Sequence, residues 1–248
     1  MQRRPLLTIS LVVCACVFLM QDSGLCFGIS PTRIELSVVP GTEYQGIVTV
    51  KNDADWAVDV SIRLEDWHAA IAGRHSEEAF EPQWLTIEPR KFELRPQSVT
   101  DITYRLKLAK EMKGEVSAMM FFEGKPKEVS EGASVIINTS IGLPMYIAAR
   151  GTEKYRAGVE KIKISKKSPI EFLVSIKNSG NVHIRPTGDI TLRKKGGRET
   201  VRVSLNKDHY PIMPNSTREI VTGSEGRLES GKYHADVRMI YNEKQYRK

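Results

Sequence analysis

Apolar and polar residues alternate along most of the chain with a period of two, the pattern of strands that bury one face. Val58, Val60, Ile62 and Leu64 alternate with Asp59, Ser61, Arg63 and Glu65. Ile102, Tyr104, Leu106 and Leu108 alternate with Thr103, Arg105 and Lys107. Residues 33–39, 47–52, 115–123 and 134–147 are rich enough in β-branched and aromatic side chains to be strands as well. Pro40-Gly41, Arg95-Pro96-Gln97-Ser98 and Glu123-Gly124 punctuate them as turns. Only residues 69–79 could hold a short helical turn. About six strands without an amphipathic helix between them describe an antiparallel sandwich.

A second set of strands follows. Ile170, Phe172, Val174 and Ile176 alternate with Glu171, Ser175 and Lys177 and end at the turn Asn178-Ser179-Gly180-Asn181. Residues 189–193 and 200–205 flank a Gly196-Gly197 pair, which predicts a hairpin. Leu228-x-x-Gly231-x-Tyr233, leading into a strand over 233–240, has the spacing of a tyrosine corner that closes one end of a sandwich. The polar segment 148–158 reads as a linker. The expected fold is all-β, with two tandem immunoglobulin-like β-sandwich domains over residues 29–150 and 151–248.

Ahead of both lies a different pattern. Arg3 and Arg4 precede an uncharged run from Leu6 to Met20, which is shorter than the roughly 20 residues needed to span a bilayer. It fits the apolar core of a secretory signal, and Cys26 and Gly28 supply small side chains for cleavage after Gly28. Residues 1–28 are therefore expected to be a cleaved signal peptide, the mature chain to have no membrane span, and the protein to be exported. Cys14, Cys16 and Cys26 all precede that point, so thiol catalysis, disulfides and cysteine metal sites are excluded from the mature protein.

Charge changes the picture in one half only. The chain of 248 residues carries a net charge of +7. Residues 29–150 hold 14 basic and 18 acidic residues, whereas residues 151–248 hold 21 and 11. The excess includes Lys161, Lys163, Lys166, Lys167, Arg193, Lys194, Lys195 and Arg198, a solvated face or a contact for anionic envelope polymer. Export and the lack of interleaved aromatic residues argue against nucleic acid. His68, His75, His183, His209 and His234 show no metal-ligand spacing, and Asp53-x-Asp55 lacks the glycine and terminal glutamate of a calcium loop. There is no Gly-x-Ser-x-Gly, phosphate loop or paired carboxylate motif, so no enzyme, metal or cofactor is expected.

Several stretches together carry a resemblance: Ile29-Ser30-Pro31-Thr32-Arg33-Ile34-Glu35-Leu36, then Ile47-Val48-Thr49-Val50-Lys51-Asn52, then Trp84-Leu85-x-Ile87-x-Pro89-x-x-Phe92-x-Leu94-x-Pro96. Gly114-Glu115 before strand 116–122, and the strand ending Ile141-Gly142-Leu143-Pro144-Met145-Tyr146, complete it. In this order and spacing the first domain resembles the N-terminal domain of periplasmic pilus-assembly chaperones, the PapD-like family. The second domain looks like a generic immunoglobulin-like module.

The resemblance implies a chaperone-like protein that lends an edge strand to pilus or other surface-fibre subunits, with an outer-membrane usher as a further candidate partner. Arg33 matches the family's first-strand arginine, implying an anchor for a partner's terminal carboxylate. The family's second basic residue falls at Gly142. Val135, Ile137, Thr139 and Ile141 form one face of the lending strand; in a lending strand that face stands exposed toward a groove with Ile136 in the core, and the alternative is a strand that turns the same face to its own core, since Ile136 and Ile137 are both apolar. The competing expectation is a structural or adhesive envelope protein that holds anionic polymer through its basic second domain.

Overall fold

The structure, a computed structural model, describes residues 27–71, 80–127, 138–164, 170–196, 200–224, 231–241 and 244–247. The first half comprises β1 (Gly28–Ser30), β2 (Ile34–Val38), β3 (Glu43–Lys51), β4 (Val58–Glu65), β5 (Leu85–Glu88), β6 (Lys91–Leu94), β7 (Val99–Lys107), β8 (Glu115–Pro126) and β9 (Thr139–Ala149). They build a sheet in the order β1-β3-β7-β5 facing a second in the order β2-β9-β8-β4-β6. The second half comprises β10 (Ala157–Ile164), β11 (Ile170–Asn178), β12 (Thr187–Lys194), β13 (Thr200–Leu205), β14 (Ser216–Ser224), β15 (Tyr233–Tyr241) and β16 (Lys244–Arg247). Its sheets run β10-β11-β14 and β13-β12-β15-β16. The expected pair of β-sandwiches is what forms.

Period-two patterning explains the layers. Val58, Val60, Ile62 and Leu64 are buried on β4, whereas Asp59 and Arg63 are exposed. One core gathers Val50, Leu94, Ile102, Met120, Phe122 and Leu143, all fully buried. A separate core gathers Phe172, Val174, Ile176, Ile190 and Met239. The helix α1 (Trp67–Ile71) starts two residues before the expected span because the Asp66 carboxylate accepts a hydrogen bond from the Ala69 amide and caps its first turn. Among the described residues no helix is long and apolar enough to cross a membrane.

The same device closes a strand in each sandwich. Asn52 follows β3, and its buried Nδ2 donates to the carbonyls of Trp56 (2.8 Å) and Arg95 (3.0 Å) while Oδ1 accepts from the Ala54 amide. Asn178 ends β11, donates to the carbonyls of Val182 and Ile212, and accepts from the Gly180 amide. Each carboxamide satisfies loop groups that would otherwise be buried unpaired.

Two boundaries differ from expectation. β10 begins inside the segment read as linker, and a bulge between Val159 and Lys161 sets Val159 and Ile162 three apart, which hides the alternation. The connector is thereby reduced to residues 150–156. The first sandwich also starts earlier. Phe27 is 2% exposed, Gly28 pairs with Lys51, and a Cβ on Gly124 would sit 2.3 Å from the Phe27 ring. Phe27 and Gly28, assigned by the sequence to the signal peptide, thus pack with the folded domain. Residues 1–26, Lys166, Lys167, Arg198 and Leu228 lie outside the described residues.

Candidate partner-binding site at the domain junction

Register sets up the junction. β2 pairs in parallel with β9, placing Glu35 beside Tyr146, and β8 pairs with β9 so that Glu115 lies opposite Ala148. From the second sandwich, the segment after β11 brings His183 and Arg185 against these residues. His183 Nδ1 lies 2.6 Å from Glu115 Oε2, its Nε2 lies 3.5 Å from Glu35 Oε1, and its ring stacks on Tyr146 at 4.0 Å. The His183 amide donates to Glu115 Oε1 (3.3 Å). Arg185 Nε and Nη2 each lie 3.1 Å from Glu35 Oε1, with the guanidinium over the Tyr146 ring. Trp67 on α1 donates to the Tyr146 hydroxyl (2.8 Å).

A second seam lies beside the first. The Glu115 amide donates to the Asn181 carbonyl (3.0 Å), the Lys154 amide donates to Asn181 Oδ1 (2.6 Å), and Asn181 Nδ2 donates to the Thr152 carbonyl (3.0 Å). Gly114 adopts φ +76, and a Cβ there would sit 2.5 Å from the Asn181 carbonyl oxygen. Only glycine allows this approach.

Charges at the junction are set by these contacts. The hydrogen bond from His183 holds the Glu35 carboxyl down to about 2 against the opposing effect of burial, helped by the charges of His183, Arg185 and Arg33. Burial acts to lower the His183 pKa, but the bonds and charges of Glu115 and Glu35 outweigh it and raise it above 6.5. Burial pushes the Tyr146 phenol up.

Between the sandwiches is a cleft of about 330 Å³, lined by Glu35, Ser37, Tyr146, Glu153, His183 and Arg185 among others. Arg33 is not one of its lining residues but pairs with Glu35, which is. The Arg33 Nε is 2.8 Å from the same Glu35 oxygen that Arg185 holds, and its side chain is 49% exposed. A second hollow of about 540 Å³ lies between Trp67 and Ile71 of α1 and Tyr210, Pro211 and Met213 of the second domain. Among the described residues no group of three or more His, Cys, Asp or Glu could hold a metal ion.

The lending strand is partly visible. Thr139 and Ile141 are half-buried on the same side as fully buried Leu143, and Ile141 packs against the first core. Ser140 and Gly142 are the exposed residues. This corrects the expectation that Ile141 is exposed: the face it shares with Leu143 is the core face. Val135, Ile136 and Ile137 lie outside the described residues. β2 pairs with β9 only from Met145 onward, so among the described residues one edge of 139–144 faces no strand.

The basic residues of the second domain do not share one sheet. Lys161 and Lys163 lie on β10, and Arg193 and Lys194 lie on β12 in the opposite sheet. Lys163 faces Glu219 across 3.7 Å.

Sequence reasoning singled out Arg33, which pairs with Glu35 of this cluster, and did not single out Glu35, Glu115, His183, Arg185 or Tyr146. These residues meet over separations of 68 and 150 positions, so no local spacing marks them.

No protein-family profile matches the sequence, and no curated protein matches it. Solved structures do match. The YadV chaperone covers 90% of this chain and 100% of its own length, with 11% identity and a TM-score of 0.51. The CupB2 chaperone of Pseudomonas aeruginosa covers 89% of this chain and 97% of its own, with 14% identity and a TM-score of 0.50. The chain has the two-domain fold of PapD-like pilus chaperones.

Proposed function

We propose that this protein is an exported, periplasmic chaperone of surface-fibre subunits that lends the edge of β9 to complete a subunit's sheet. The observation that carries this reading is the edge at 139–144 that faces no strand among the described residues, a few residues upstream of the point where β2 joins β9 at the cleft. An open edge offers main-chain donors and acceptors to an incoming strand. The chaperone names of the structures with this fold support the same reading.

In this reading Arg33 binds the partner's terminal carboxylate beside Glu35. Gly142 supplies no second cation, so the anchor is weaker than a basic pair, and strand pairing carries more of the affinity. Incubation with a purified pilus subunit tests the proposal. A soluble one-to-one complex is expected, weakened by Arg33→Ala. Salt-sensitive sedimentation with lipopolysaccharide or cell wall, with no complex formed, supports the polymer-binding alternative instead.

A further inference from the structure

Both ring nitrogens of His183 face carboxylates, Nδ1 toward Glu115 at 2.6 Å and Nε2 toward Glu35 at 3.5 Å. A neutral imidazole has one N–H and one lone pair, so one of its nitrogens would face a carboxylate with nothing to donate. Only the imidazolium satisfies both. The two carboxylates belong to the first domain and the imidazole to the second, so the proton on this ring is part of the junction between them.

The other charges sharpen the point. From β2 comes Glu35, from β8 Glu115, and from β9 the Tyr146 phenol on which the ring stacks. From the connector come Glu153 and Tyr155, and from the ring's own segment Arg185. Glu35 keeps two other cations, Arg33 and Arg185. Glu115 has His183 as its only cation among the described ion pairs, and its side chain is 4% exposed. A carboxylate this buried, facing a neutral ring, is an uncompensated charge.

We propose that His183 is a proton-operated latch between the two domains, closed when the imidazolium bridges Glu115 and Glu35 and released when the ring loses its proton. The sign follows from linkage. The pKa of His183 is raised on folding, so its contribution is complete below the ordinary value of 6.5 and is lost as pH rises through the folded-state value. Glu35 stays charged until pH falls toward 2. Above the His183 midpoint the latched fraction falls about tenfold per pH unit. What changes is the angle at which the cleft is presented; each sandwich keeps its own core.

NMR of the full mature chain tests this, with the His183 ring resonances followed through a titration and domain alignment read from residual dipolar couplings. The expected midpoint lies above 6.5, and the two domains share one alignment at about pH 6 but not at about pH 9. Glu115→Gln is expected to lower the midpoint by about one unit, a tenfold loss of proton affinity. His183→Gln is expected to show at about pH 6 the loosened alignment that the wild type shows at about pH 9. If either variant fails to fold, the wild-type series decides alone. A midpoint at or below 6.5, or one shared alignment at both pH values, overturns the latch.

Discussion

Asn52 and Asn178 each use one carboxamide to satisfy several buried backbone groups at the end of a strand. Alanine removes the partner and leaves those carbonyls unpaired, which costs about 1–3 kcal/mol each. Thermal denaturation of Asn52→Ala is expected to show a loss at least that of one such group, about 1–3 kcal/mol, and a loss below about 0.5 kcal/mol, the scale of an ordinary surface change, would contradict the role. Phe27 is the other telling residue. Its ring fills the space left by the missing side chain of Gly124, so Phe27→Ala is expected to cost about 3–5 kcal/mol. Both asparagines directly follow alternating stretches, Val48-Thr49-Val50-Lys51 and Val174-Ser175-Ile176-Lys177, and that alternation marks only the end of a strand there. Their burial depends on carbonyls about 34 to 43 positions away. Arg33 was legible because its type and place matched a known stretch, whereas Glu35, two residues on, acquires its importance from Arg185 in the other domain.

At the scale of elements, strands with clean alternation were legible and irregular ones were not. β4, β7 and β11 bury one face in strict alternation or near it, and their bounds shift by only a few residues from expectation. β5 and β6 are four residues each on either side of Pro89, too short for a period to register. β10 was lost to its bulge. β9 shows the limit of alternation most clearly, since Ile136 and Ile137 are both apolar and the sequence alone does not choose between faces. The structure places Ile141 on the core face. Ile141→Asp is therefore expected to lower the melting temperature of the first domain, because it buries a charge with no partner. Ser140→Pro acts differently: it removes an edge amide from an exposed position and is expected to weaken subunit binding more than folding. Calorimetry and a pull-down on the same two variants separate the effects. A stable Ile141→Asp protein would reverse the face assignment.

For the whole molecule, the junction and the chain's start matter most. Gly114→Ala forces a left-handed residue to carry a side chain against the Asn181 carbonyl. It is expected to loosen the domains while leaving both cores folded, so two separate unfolding transitions should replace one in calorimetry. Packing of Phe27 into the first sandwich moves the expected cleavage to the bond after Cys26, where Gly24 and Cys26 are the small residues. Intact mass of the exported protein should begin at Phe27. A mature chain starting at Ile29 would remove a core side chain and contradict the packing.

In the proposed function, the edge of β9 that faces no strand among the described residues receives a partner strand. Amide hydrogen exchange, measured on the protein alone and mixed with a pilus subunit that lacks its own completing strand, tests it most directly. Slower exchange at 139–143 in a one-to-one complex is expected, with β5 and β6 unchanged. A complex that leaves 139–143 exchanging as in the free protein, or no complex with such a subunit, contradicts it.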